Sequence, residues 1–163
     1  MKKTLLLLLF LPLLVVGQFT YIPDDNFEQE LINLGYDFVL DDNIETMAID
    51  TVSSLYINNL GIADLTGIAS FISLKDLFCH SNQLLFLDLS NNAQLFEVSC
   101  GSNQLTYIDV RNGNNTNFTV FNALYNSNLN CISVDDANRA TANLTDIDAH
   151  TSFSDNCNAK TFI

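Results

Sequence analysis

Basic side chains are scarce in this sequence. Six lysines and arginines face nineteen aspartates and glutamates, for a formal net charge of -13. Such a balance argues against nucleic acid and anionic membrane surfaces as partners, because both repel an acidic protein. Histidine is almost as rare. His80 and His150 are the two in the chain, and neither stands in a recognisable motif with a serine or cysteine. There is no phosphate-binding glycine loop, no HExxH and no nucleophile elbow. No enzymatic activity and no cofactor are therefore expected. Long apolar runs are also lacking beyond the first residues, so no membrane span is expected.

The first residues carry what the rest lacks. Lys2 and Lys3 precede an apolar run from Leu5 to Val16, and Val15 and Gly17 are small. These are the parts of a secretory signal peptide over 1–17, with cleavage before Gln18. The run is too short to be read as a bilayer span. About 145 residues remain, the size of one domain. Four basic residues stay with that portion, against all nineteen acidic ones, giving a formal charge near -15. A soluble protein that is secreted, periplasmic or at the cell surface is expected, as a monomer. All four cysteines, Cys79, Cys100, Cys131 and Cys157, lie beyond the leader. Export makes a disulfide possible. Four cysteines allow three full pairings, among which sequence alone does not choose.

One phrase is written twice. CHSNQLLFLDL begins at Cys79 and CGSNQLTYIDV at Cys100, 21 residues later. Apolar positions Leu74, Leu77, Cys79, Leu84, Leu87 and Leu89 recur as Leu95, Val98, Cys100, Leu105, Ile108 and Val110. Asn82 and Asn103 match, as do Asn91 and Asn112. Upstream, Val52, Leu55, Ile57, Leu60, Ile62 and Leu65 copy the pattern, with Leu60 in the asparagine place. Downstream, Phe118, Phe121, Ala123 and Asn126 copy its first half. A fixed period of this length marks a stacked solenoid. Four units follow, 52–73, 74–94, 95–117 and 118–136, between an N-terminal cap over 18–51 and a closing segment over 137–163. One coil cannot bury its apolar edge alone, so the coils must stack. In Leu77-Phe78-Cys79 the outer two side chains point one way and Phe78 the other, as strand period two demands. Asn82, Asn103 and Asn126 fall at tight corners, where an amide serves backbone groups that the turn leaves free, bonding along the stack to the next coil.

The spacing of Leu74, Leu77, Cys79, Asn82 and Leu84 resembles the leucine-rich repeat family, whose units read LxxLxLxxNxL. Leu95, Val98, Cys100, Asn103 and Leu105 match equally well. More widely, YIPDDNFEQELINLGYD, NLGIADLTGI and NCISVDD…TDIDAHTSFSDNC resemble the caps and closing segment of secreted leucine-rich repeat proteins of Bacteroidetes-type bacteria. The resemblance implies an α/β fold: a short solenoid with one parallel β-sheet, an irregular or 3-10 returning wall and an N-terminal helical cap. It also implies a bond between Cys131 and Cys157, tying the closing segment to the last coil. Many such proteins carry a C-terminal sorting tail. This chain ends six residues after Cys157, which puts that family route to surface attachment in question.

Several local expectations complete the reading. Asp24 or Asp25 caps a helix near 24–34, and Gly35 ends it. Asp41-Asp42-Asn43 is a turn, and Glu45 to Asp50 form a short strand that starts the sheet. Val134 to Asn143 form a short helix or stay irregular, with Leu144, Ile147 and Phe153 as apolar plugs. The pairs Asp24-Asp25, Asp41-Asp42 and Asp135-Asp136 read as caps and turns, not as acid and base across a cleft. Cys79 and Cys100 take inward positions, where small apolar groups suit the core. Neighbouring strands lie about 4.8 Å apart, which leaves a bond between these two open, while two thiols alone make a poor zinc site. The outward strand residues line one face, with Tyr56 and Phe78 adjacent and Asp76, His80, Glu97 and Ser99 around them. An exposed aromatic pair with a polar rim is a contact patch. The expectation is a non-enzymatic exported module that binds a protein or glycan there. The alternative is a structural envelope or matrix component without a specific ligand.

Overall fold

A computed structural model describes residues 17–157. The leader expected over 1–17 therefore lies, Gly17 apart, outside the described residues. The chain starts with a cap. Strand β1 (Phe19–Tyr21) is followed by helix α1 (Asp25–Asn33), strand β2 (Asn43–Glu45) and the single helical turn α2 (Thr46–Ile49). Helix α1 begins where the sequence predicts. One oxygen of Asp24 accepts the Asn26 and Phe27 amides at 3.0 Å each, and Asp25 and Glu28 place acid in the first turn, where the helix dipole favours it. Phe27 and Leu31, one turn apart, are fully buried. The other oxygen of Asp24 accepts the Ala63 and Asp64 amides at 2.8 and 3.0 Å. One carboxylate thus starts the helix and clamps the cap to the first coil.

The segment Glu45 to Asp50 departs from expectation. It does not start the coil sheet. Asn43–Glu45 pair antiparallel with Phe19–Tyr21, and Thr46–Ile49 turn helical, burying Ile49. The partner decides: Thr46 donates its amide to the Gln18 carbonyl at 2.8 Å, and its hydroxyl meets that of Thr20 at 2.8 Å.

Beyond the cap the chain winds through two parallel sheets. One holds β3 (Ser54–Tyr56), β4 (Asp76–Phe78), β6 (Glu97–Ser99) and β8 (Val120–Asn122). The other holds β5 (Phe86–Asp88), β7 (Tyr107–Asp109), β9 (Cys131–Ser133) and β10 (Ser152–Ser154). The returning wall has short 3-10 turns at Ile68–Ser70 and Asn115–Asn117, and it carries the second sheet in addition to them. Leu87 and Leu89, like Ile108 and Val110, alternate inward with outward residues at the strand period. Strands of three residues are held only when coils stack on one another. Leu55, Leu77, Val98 and Phe121 stand in register across the first sheet. Leu87, Ile108, Ile132 and Phe153 do so across the second. The core fills the space between these two rows.

The closing segment extends both sheets. The Ala123 amide donates to the Asp146 carbonyl at 2.9 Å, Asn122 bridges to Asp146, and β10 pairs with β9. Between them Asp136 caps helix α3 (Ala137–Asn143). Leu144, Ile147 and Phe153 are partly buried and pack against the core. Cys131 and Cys157 are bonded, with Cα atoms 5.9 Å apart. No described helix is long and apolar enough to cross a membrane.

Candidate binding face on the first parallel sheet

The sheet corner repeats one device. Asn59, Ser81, Ser102 and Tyr125 all have positive φ, between 55° and 63°, and the residue after each of the last three is Asn82, Asn103 or Asn126. Left-handed backbone disfavours residues with a Cβ, so something must hold these turns. The asparagines do. The Asn103 Oδ1 accepts the Leu84 amide at 3.0 Å, and its Nδ2 donates to the carbonyls of Cys79 and Cys100 at 3.0 Å each. Asn82 and Asn126 repeat this pattern. All three are buried. The amides reach back to the preceding coil, not forward to the next, because the free groups at each corner belong to the coil already laid down. Asp148 forms the last rung, accepting the Tyr125 and Asn126 amides at 3.0 and 2.7 Å. The repeat pattern does not reveal Asp148, since the closing segment lacks the motif.

Cys79 and Cys100 are fully buried free thiols in neighbouring coils. Burial pushes the Cys100 thiol up to about 12. Burial, and secondarily the neighbouring Cys100, raises Cys79 well above its ordinary value. Both stay protonated and unreactive, since the thiolate is the nucleophile. Among the described residues no group of three or more histidines, cysteines or carboxylates is placed to hold a metal.

Outward side chains of the first sheet form two rows. Ser54, Asp76, Glu97 and Val120 stand in register, and so do Tyr56, Phe78, Ser99 and Asn122. Tyr56 and Phe78 stack with ring centroids 5.0 Å apart and planes 8° from parallel. Tyr56 is 59% exposed even so. Asp76 accepts the Ser54 hydroxyl at 2.6 Å, and Thr119 donates to Glu97 at 3.4 Å. His80 lies beside Gly101 one coil on, and its Nδ1 is buried without a partner among the described residues. The structure thus brings Tyr56, Phe78, Asp76, His80, Glu97 and Ser99 onto one face.

Proteins of similar build are known. No protein-family model matches the chain. Internalin J of Listeria monocytogenes serotype 4b (strain F2365) is 38% identical over 72 residues, 44% of this chain and 8% of that protein. The solved functional domain of internalin J, which includes a cysteine ladder, superposes with a TM-score of 0.58 at 29% identity, covering 86% of this chain and 29% of that one. The fold is a leucine-rich repeat solenoid. An internalin F structure from the same species agrees, with a TM-score of 0.57 over 78% of this chain and 43% of that one; at 17% identity it bears on the fold alone. The chain spans less than a tenth of the curated relative and under half of either solved chain.

Two features of this leucine-rich repeat chain escape the motif. On the second sheet Asp109 is nearly buried and takes bonds from the Arg111 guanidinium and from the Tyr107 hydroxyl at 2.9 Å. Burial alone would raise its carboxyl. The bonds from Arg111 and Tyr107 outweigh that and hold it below the ordinary value. The other feature is Tyr125, 73% exposed at the sheet corner. Its place before Asn126 is the one signal that could have found it, since Ser81 and Ser102 hold the same place.

Proposed function

We propose that this is an exported, non-enzymatic binding module that contacts a protein or glycan through the face of its first sheet, with Tyr56 and Phe78 at the centre and Asp76, His80, Glu97 and Ser99 around them. The observation that carries the reading is the exposed Tyr56–Phe78 stack. Stacking holds the two rings in place beforehand, so this apolar patch needs little ordering before contact. The bond between Cys131 and Cys157 supports an oxidising compartment, in keeping with the leader-like start. Cys79 and Cys100 are read as core filling, two rungs resembling the ladder of internalin J.

The test is proximity labelling on intact producing cells, with the protein as bait and the Tyr56→Ala/Phe78→Ala double variant as control. A partner labelled by the native protein and lost in the variant is the expected result. Identical diffuse lists from both proteins would remove the sheet face from the reading.

A further inference from the structure

Between the coils that carry His80 and Tyr125 the first sheet is indented. His80, Ser99, Gly101, Ser102, Asn122 and Tyr125 line a cleft of about 190 Å³. A Cβ at buried Gly101 would stand 2.8 Å from the Asn122 Oδ1 and 2.9 Å from the Leu124 carbonyl oxygen, so the glycine lets the next coil close in at the place where the preceding coil carries His80. The polar groups around the gap have unused capacity. The His80 Nδ1 is buried without a partner among the described residues. Asn122 spends its Oδ1 on the Leu124 amide at 3.1 Å, and its Nδ2 points to no acceptor among the described residues. The hydroxyls of Ser99, Ser102 and Tyr125 likewise make no side-chain bond to the described residues. A buried polar atom without a partner is costly, and such groups converging on one concavity are what a polar ligand satisfies.

Tyr125 adds a second, independent observation. It is an aromatic residue at φ 63°, where Ser81 and Ser102 hold the corresponding corners. The turn is common to the corners, but the exposed aromatic ring is particular to this one. That ring lines the cleft.

We infer that this cleft takes one ring of a neutral glycan. Hydroxyls, an amide and an imidazole match the alternating donors and acceptors of a sugar edge, and an aromatic face attracts its polarised C–H face. The lining holds no carboxylate, lysine or arginine, so it offers no counter-charge to an ionic ligand. Asp76 and Glu97 stand in the adjoining row of the sheet, and the whole chain carries a net charge of -13. Both disfavour uronic or sialic acids. The volume is below the roughly 300–1,000 Å³ of sites that enclose a drug-sized molecule, which suits a single ring with the rest of the glycan running past the Tyr56–Phe78 pair.

The inference rests on the sheet-face reading above, and its test separates the two. The full chain, with its disulfide formed, is passed over immobilised mannan, laminarin and galactan, with hyaluronan as the anionic comparison. Retention on at least one neutral polysaccharide and not on hyaluronan is expected. His80→Ala and Tyr125→Asn should each weaken it about tenfold or more. Asparagine suits the left-handed corner, so Tyr125→Asn should keep or raise the thermal midpoint while binding falls; a purely structural role for Tyr125 would not split the two readouts. No retention on any neutral polysaccharide overturns the glycan class, even if proximity labelling still finds a protein at Tyr56 and Phe78. Retention lost with Tyr56→Ala/Phe78→Ala but kept by His80→Ala and Tyr125→Asn overturns the cleft and leaves the face. Equal retention on hyaluronan overturns the preference for neutral sugars.

Discussion

An asparagine at each corner is the smallest unit of this architecture. Its side chain both accepts and donates, so it can serve an amide and two carbonyls at once. Asn103→Ala would strand the Leu84 amide and the Cys79 and Cys100 carbonyls in a buried corner. A loss of about 2–4 kcal/mol is expected from chemical denaturation, since each stranded group costs about 1–3 kcal/mol. Asn103→Asp should also destabilise, because a carboxylate cannot donate to those carbonyls. Asp148 is tolerated at the end of the row because there it only accepts. At the same scale, the raised thiols of Cys79 and Cys100 predict that iodoacetamide at pH 8 leaves both unmodified in the native protein. Intact-mass measurement should find two additions only after unfolding without reductant. Rapid labelling of the folded chain would contradict their inert role.

At the scale of an element, helix α1 and the first coil share Asp24. Loss of a helix cap alone costs about 1 kcal/mol. Asp24→Ala also frees the Ala63 and Asp64 amides, so a loss of about 2 kcal/mol is expected. Hydrogen exchange at Ala63 and Asp64 should accelerate with it; faster exchange confined to α1 would show that the clamp matters little. Gly67 is the other joint between cap and coil. It has φ 98°, and a Cβ there would lie 2.3 Å from the Ile22 Cδ1 and 2.8 Å from the Tyr21 carbonyl oxygen. Backbone cannot step aside as a side chain does. Gly67→Ala should therefore lower the thermal midpoint more than an alanine at exposed Gly113, which also has positive φ but meets nothing within 4 Å.

The whole molecule is a stack whose last coil is tied by a covalent bond. Cys131 and Cys157 are 26 residues apart, and closing such a loop contributes about 3.5 kcal/mol in the chain-entropy estimate. The Cys131→Ser/Cys157→Ser variant should lose stability of that order, with β10 exchanging its amides first. The second sheet also depends on pH through Asp109. Its carboxyl is held below the ordinary value of 3.8, so its contribution is present above that value and fades as pH falls through the folded one. Asp109→Asn should be less stable than the native protein at neutral pH, and the gap in denaturation midpoint should close in acid, below about pH 4. A gap that stays constant to low pH would remove Asp109 as its source.

Much of this was legible in order along the chain. The 21-residue period places Leu77, Cys79 and Asn82, and their counterparts, without reference to any distant contact, because one coil repeats the local rules of the last. The capping aspartate of α1 is likewise a local signal. What needed the tertiary structure lies where coils meet. The sequence predicts a strand over Glu45 to Asp50, yet Glu45 ends β2 and Thr46–Ile49 turn helical because β2 finds its partner in β1. The second sheet exists because short alternating segments such as Phe86–Asp88 find parallel partners one coil on, and because the closing segment adds β10 to the last of them. The cleft beside Tyr125 comes from a glycine in one coil lying next to a histidine in another and an asparagine in a third. Sequence by itself determined the repeat, its inward face and its corners, since those follow from periodicity. Tertiary structure alone decided the cap's pairing, the second sheet's hydrogen bonding and the cleft, since each depends on how separate coils and segments come together in space.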